Sequence, residues 1–427
     1  MLRSFSQNNQ LPSNFAGKFK IPRAINTSST RKRVHQNTRK NALACASSLY
    51  WRNIKTRESS LYAIFTFAAK FRDDPKNENP TMTPAAPFRA IVVSDQPHPK
   101  NPTIKASLTT IAPEKLADAE VRVRVDHSAI NYKDVLAVQA HPGVAKKLPL
   151  IPGIDATGTV VESNNDQFNP GDKVLIAHAK FGTESNGGLA EYCQVPGDWL
   201  LHLPSGMSTQ SAAVWGTAGF TAAQSVDKLL QHNITPVNGP VIVSGATGGV
   251  GIFSVMILHK LGFEVAAITG KDDQHEWLQS LGASSIIRRS DFAAMLDEKN
   301  KQPLLKSQYA AAIDTVGGAT LGGLLKTVQP HGIVTACGMV GGNDLSTTVF
   351  PFILRGLTLS GIDSAGITRT FRQKLWNQIA DQWQVDLTPI TKRISLDEVF
   401  EQAKLMSQGK TKGRLLVDIG TENNAAT

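Results

Sequence analysis

Apolar positions along the 427-residue chain change their rhythm near residue 204. Before it they come in short bursts. Residues 88–94 (FRAIVVS) read as an opening strand, and 121–127 (VRVRVDH) alternate apolar and polar as a strand wet on one face does. Residues 147–153 (KLPLIPG) bend on two prolines, 156–162 (ATGTVVE) are strand, 169–172 (NPGD) turn, and strands continue through 173–178, 189–195 and 199–203. The pattern predicts an antiparallel β domain. Beyond it, residues 208–230 predict a helix broken at Gly216 and Gly219, and strands then alternate with helices: 241–243, 264–269, 285–287, 308–314, 332–337 and 357–362. Such alternation predicts an α/β, doubly wound parallel sheet with right-handed crossovers. Helical patterns at 371–383 and 396–408 and a last strand at 414–419 return the chain to the first domain. The expected division is 83–206 and 366–420 for the β-rich domain, 207–365 for the parallel sheet, and a short tail at 421–427.

Charge changes the picture only at the start. The net charge is +10, yet residues 1–82 hold 15 Lys and Arg against 4 Asp and Glu, so they carry +11 and the remainder is nearly neutral. This Ser/Asn/Arg/Lys-rich segment lacks apolar periodicity and reads as a disordered basic extension. Its basic, acid-poor character fits a mitochondrial transit peptide as well as a solvated leader with the true start at Met82, and Arg31-Lys32-Arg33 would suit nuclear import. A cytoplasmic protein is expected, with a mitochondrial alternative. Nucleic-acid binding would have to come from this arm alone. The longest apolar run there, 63–69, is far short of the ~20 residues that span a bilayer. Cys45, Cys193 and Cys337 lie too far apart for a C-x-x-C metal knuckle or a disulfide framework.

The candidate chemistry begins at 240–261, PVIVSGATGGVGIFSVMILHKL. A β-branched strand runs into four glycines within seven residues, and an apolar helix follows until Gly262. Gly245, Gly248 and Gly251 allow a sharp turn and close approach of a diphosphate, although glycine turns between strand and helix also occur without one. About 20 residues on, the second strand ends in Thr269-Gly270-Lys271, where an acid would accept from a free ribose 2′-hydroxyl. A hydroxyl, a glycine and a lysine suit a 2′-phosphate instead, with Arg288 and Arg289 as further cations, so NADPH is the expected cofactor. If Asp272 is the strand-end residue, NADH becomes the better fit.

Asn131-Tyr-Lys-Asp134, Ile151-Pro-Gly-Ile-Asp155, Asn169-Pro-Gly-Asp172, Gly216-Thr-Ala-Gly-Phe-Thr221, Gly245 to Gly251, Ala312-Ile-Asp-Thr-Val-Gly317, Ala336-Cys-Gly338 and Pro351-Phe-Ile-Leu-Arg355 together resemble the medium-chain dehydrogenase/reductase superfamily. Over about residues 86–420 the chain resembles its zinc-free quinone-oxidoreductase-like branch, and most of all the bacterial acryloyl-CoA reductase group. The resemblance implies a GroES-like catalytic domain, a Rossmann domain and an active site in the cleft between them. Zinc-dependent relatives carry a His-Glu pair after the glycine that here is Gly153; this chain has Ile154-Asp155, so no metal site is expected.

The same resemblance assigns the site residues. Tyr132 would line the nicotinamide and donate or relay a proton, with a packing role at a helix start as the alternative; Asp134 would assist, or merely cap, and Asn131 would fix the loop. Thr247, Gly248, Gly249 and Val250 would contact the diphosphate, and Thr269, Gly270, Lys271 and Arg289 the 2′-phosphate. Thr217, Met339, Ile353 and Ser364 would lie toward the nicotinamide, while Arg355 and Arg414 are candidates for a phosphate of CoA or of the cofactor. The implied reaction is hydride transfer to the β-carbon of a small 2-enoyl thioester such as acryloyl-CoA. A broad quinone or enone reductase, or a nucleotide-binding protein without turnover, would use the same cradle. The strand at 357–362, at a sheet edge, is a candidate homodimer contact.

Overall fold

The structure, a computed structural model, describes residues 86–94, 105–116, 118–176, 178–298 and 302–420. The expectations for residues 1–82 and for the tail at 421–427 lie outside these residues. In chain order, β1 (Phe88–Val93) and β2 (Ala106–Ile111) form an antiparallel ribbon. There follow β3 (Val121–Ile130), α1 (Tyr132–Val138), β4 (Ala156–Ser163), β5 (Lys173–Ile176), β6 (Tyr192–Val195), β7 (Leu200–His202) and the long α2 (Thr209–Gln231). The alternating part comprises β8 (Val241–Val243), α3 (Gly249–Lys260), β9 (Val265–Thr269), α4 (His275–Ser280), β10 (Ser285–Arg288), α5 (Arg289–Glu298), β11 (Tyr309–Asp314), α6 (Gly318–Thr327), β12 (Val328–Ala336), α7 (Phe350–Arg355) and β13 (Thr358–Gly361). The chain ends through α8 (Arg369–Asp381), β14 (Thr391–Ser395), α9 (Val399–Ser407) and β15 (Arg414–Asp418).

The six strands of the second half lie all parallel in the order β10-β9-β8-β11-β12-β13. Two crossovers run outward from β8 to β10, the chain returns to the other side of β8 at β11, and two more run outward to β13, so the carboxyl ends of β8 and β11 flank a switch point of the kind where ligands bind. Burial on both faces explains the apolar strands. Val241, Val243, Val265 and Ala267 pack under α2, α3 and α8, whereas Ile242, Ala266 and Ile268 pack against Phe292 of α5 and Leu321 and Leu324 of α6.

The β-rich domain is a mixed sheet, β14-β15-β3-β4-β5-β7, with β6 pairing β3. All its pairs are antiparallel except β14 with β15. This departs from the purely antiparallel expectation because β14 and β15 are joined by α9, a crossover that lets two strands run the same way. β2 and β14 escape the sequence pattern, since most of their residues are half-wet or exposed. α2 is one helix with a kink at Gly216 only; Gly219 is helical, and a Cβ there would lie 2.5 Å from the Trp215 ring. Among the described residues no helix is long and apolar enough to cross a membrane.

β15 ties the two halves together. Leu415 and Val417 enter the core of the β-rich domain, and Leu416, fully buried between them in sequence, joins the core shared by α2, α3 and α8. One strand thus serves two cores by simple alternation. Leu416→Ala is expected to cost about 2–5 kcal/mol and to lower the midpoint of a single urea transition followed by tryptophan fluorescence; a separate early transition of one domain would contradict this coupling.

Candidate functional site

The cradle forms where β8 ends. Ser244 to Gly248 turn the chain and α3 starts at Gly249, with Gly248 as a cap that brings no side-chain acceptor to the helix's first amides. Unpaired amides of this kind suit an anion. Gly245 has φ +60°, and a Cβ on Gly251 would stand 2.3 Å from the Gly245 carbonyl oxygen, so any side chain there would close the turn. This space fits a diphosphate on Thr247, Gly248, Gly249 and Val250.

At the end of β9 the structure brings together Thr269, Gly270, Lys271 and Arg289. Thr269 is buried and its Oγ1 accepts from the Lys271 amide at 3.1 Å. A Cβ on Gly270 would lie 2.9 Å from Cζ of Arg289, so the guanidinium rests against this glycine. The Lys271 Nζ donates to the Thr411 carbonyl. Asp272 lies past the strand end, 3.5 Å from Arg288 and 3.6 Å from His275. A phosphate at this corner would meet cations first.

The second cluster surrounds Asp155. Its Oδ1 accepts from the Thr217 amide at 2.8 Å and the Thr217 hydroxyl at 2.6 Å, and its Oδ2 accepts from Asn131 Nδ2 at 2.7 Å. Arg414 Nη2 stands 3.5 Å from the same Oδ2. Gly216 makes room for this carboxylate: its φ is +45°, and a Cβ would fall 2.3 Å from Oδ2. The kink in α2 and the buried acid therefore require each other.

Beside Asp155 opens a cavity of about 60 Å³, walled by Ile154, Leu175, Ile176, Phe220 and Trp376. Its polar rim includes Lys133, His178, Thr217, Ser364 and Arg372. His178 stacks on Trp199 at 4.2 Å, and burial, with Arg372 and Lys180 adding to it, lowers its pKa. Arg372 is buried and donates to the Ala365 carbonyl at 3.0 Å. The sequence gives His178 no partner at ligand or triad spacing, and it does not mark Arg372 at all, because the groups around them come from distant segments.

Several expectations need correction. Asp134 is 1% exposed and cannot meet a substrate directly. It accepts from the amides of Asn131 at 2.8 Å, Gly153 at 3.1 Å and Ile154 at 2.9 Å, pinning the start of α1 to the loop before Asp155. Asn131 spends its side chain between Asp155 and Arg414, whose Nη1 donates to Asn131 Oδ1 at 3.1 Å. Arg414 is 2% exposed and bonded to the Val214 carbonyl at 2.8 Å, so it is a buried counter-ion and not a hand for an outside phosphate. Arg355 is also taken: it donates to the carbonyls of Lys326 and Val328, each at 2.8 Å, and of Leu305, all at the base of the parallel sheet. Ile353 is 72% exposed on α7, outside the cavity wall; Met339, equally exposed, follows β12 at the sheet's carboxyl edge. Ser364 does line the cavity and accepts from Thr221 Oγ1 at 2.9 Å. Tyr132 is 46% exposed on the first turn of α1, and its phenol makes no hydrogen bond among the described residues. No group of three His, Cys, Asp or Glu side chains among them is placed to hold a metal ion.

Residues 117–205 match the family described as Alcohol dehydrogenase GroES-like domain, and residues 249–381 match Zinc-binding dehydrogenase. The chain is 41% identical over 318 residues to the putative quinone oxidoreductase YhfP of Bacillus subtilis, covering 74% of this chain and 95% of that one. It is 38% identical over 333 residues to the acrylyl-CoA reductase AcuI of Ruegeria pomeroyi, covering 78% and 99%. The YhdH oxidoreductase of Salmonella enterica, solved in complex with NADP, superposes with a TM-score of 0.73 at 38% identity over 78% of this chain and 99% of that one. YhfP, solved with NAD bound, gives a TM-score of 0.73 at 40% identity over 78% and 100%. With both family models matched and these relatives covered along almost their whole lengths, the chain belongs to the medium-chain dehydrogenase/reductase superfamily.

Proposed function

We propose that the protein is a zinc-independent, NADPH-dependent reductase of the activated C=C bond in a small 2-enoyl thioester such as acryloyl-CoA. The observation that carries the cofactor reading is the end of β9, where Thr269, Gly270, Lys271 and Arg289 stand where a 2′-hydroxyl reader would present an acid. The acceptor reading rests on likeness to the acrylyl-CoA reductase named above. NADPH, when bound, supplies a hydride. The chain's part is to hold and orient. Thr247 to Val250 hold the diphosphate, the apolar walls at Leu175, Phe220 and Trp376 exclude water, and Lys133, His178 and Arg372 are cationic or donor groups at the rim for negative charge on a thioester oxygen. Tyr132 holds a phenolic proton at the exposed start of α1. A quinone or enone reductase is the second reading, favoured by the likeness to YhfP.

Asp134 serves this site as a positioning residue. Burial, with the charge of Asp155 adding to it, raises its pKa from 3.8 to about 6. The folded protein therefore binds this proton more tightly than the unfolded chain. The stabilisation is fully present below the unfolded value and is lost as pH rises through the folded one.

A homodimer belongs to the same reading. β13 is the outermost strand of the parallel sheet, and the neighbouring Val349, Phe350, Ile353 and Leu354 are exposed. Light scattering is expected to give twice the chain mass; a monomeric mass would end this part.

Turnover of acryloyl-CoA, crotonyl-CoA and benzoquinone, followed by loss of NADPH absorbance with NADH as control, is expected to favour acryloyl-CoA with NADPH. Quinone turnover alone would select the second reading. Tyr132→Phe is expected to lower kcat roughly 10²-fold with KM little changed; an unchanged kcat would remove the phenol from the chemistry. Relative to Asp134→Asn, the wild type is expected to gain about 2 kcal/mol of unfolding free energy between pH 7 and pH 4, read by urea titration. A pH-independent difference would contradict the burial argument.

A further inference from the structure

The loop 409–413, between α9 and β15, reaches out of the β-rich domain and lies across the end of β9. Gly413 donates to the Thr247 carbonyl at 3.0 Å, and Thr411 accepts from Lys271 through its carbonyl. Lys412 Nζ donates to Gln274 and sits 4.6 Å over the ring of Trp277, whose own Nε1 donates to the Pro389 carbonyl at 3.1 Å. Two strips of chain, Gly270 to Gln274 and Gly409 to Lys412, thereby form the facing walls of one open cavity.

The charges on these walls do not cancel. Among the described residues Lys271, Arg289, Lys410 and Lys412 have no carboxylate within ion-pair distance. Asp272 stands 3.5 Å from Arg288 and Asp273 accepts from Gln274 at 2.5 Å, so the walls carry three lysines against two acids, one of them already paired, with Arg289 resting against Gly270 behind them. Lys412 is held by an amide oxygen and an aromatic face, and Lys271 by a carbonyl, so both ammonium groups are oriented by neutral acceptors. Burial lowers the pKa of Lys271, which an anion would reverse. An oriented cation lacking a counter-ion gains most from a dianionic phosphate.

We propose that Lys412 is a further cofactor-specificity residue, and that the corner reading the ribose 2′-phosphate is composite, with Lys271 and Arg289 from one domain and Lys412 from the last loop of the other. The proposal rests on the NADPH reading. It makes the 2′-phosphate a bridge between domains: Lys271 exchanges the Thr411 carbonyl for phosphate, and Lys412 swings from Gln274 to the same anion.

The test uses the full chain and calorimetric titration of adenosine 2′,5′-bisphosphate against adenosine 5′-monophosphate. The wild type is expected to prefer the bisphosphate. Lys412→Ala is expected to weaken bisphosphate binding about tenfold and to flatten its salt dependence, leaving the monophosphate affinity unchanged as proof of an intact fold; Lys412→Arg is expected to retain the preference. If the wild type prefers the bisphosphate and Lys412→Ala binds it equally well, or loses both ligands alike, the composite corner is wrong while the NADPH reading stands. A wild type without preference would overturn both.

Discussion

A guanidinium and a carboxylate, buried together where the β-rich domain meets the parallel sheet, set the terms for everything near them. Arg414 comes from the last strand, Asp155 from the loop before β4, and the two are 2% and 6% exposed at their side chains. Two ions in so dry a place bring little net stability by themselves, but removing one leaves the other uncompensated at a cost of about 3–5 kcal/mol. Each has recruited partners to meet this demand: Thr217 and Asn131 for the acid, the carbonyl of Val214 and again Asn131 for the base. In satisfying the pair, those partners fix the kink of α2, the start of α1 and the floor of the cavity.

The arrangement also orders the cleft through charge. A tetrahedral zinc site orders its surroundings by drawing ligands from separate segments onto one ion. Here the segments before β4, at the end of β3, at the kink of α2 and at the start of β15 likewise converge on one place, Asp155 and Arg414. The organising charge is carried by the protein itself, and the cavity beside it presents an apolar wall with Lys133, His178 and Arg372 at the rim.

Much of the fold was legible because its elements are locally consistent. The β-branched runs at 241–243 and 265–269, the glycines between, and the crossover helices all announce a parallel sheet, and their alternation puts one face under α2 and the other under α5 and α6. Thr269, Gly270 and Lys271 are adjacent in sequence, so their meeting needed only the strand's end. What could not be read was whatever depends on residues hundreds of positions apart. Arg414 looks like a free cation in sequence, and only the return of β15 beside β3 buries it. Arg355 similarly finds its carbonyls on other elements. Asp134 carries no signal that it would be sealed in, and Lys412 gains its place only because its loop crosses from one domain to the end of β9.

Whether Arg414 and Asp155 act as one coupled pair at the junction is decided by a double-mutant cycle on unfolding free energy using Asp155→Leu and Arg414→Met. Each single substitution is expected to cost about 3–5 kcal/mol, while the double substitution should cost clearly less than their sum, because it removes both buried charges together. Additive costs within about 0.5 kcal/mol would mean that the two residues act independently, and the account of the site as built around one ion pair would be wrong.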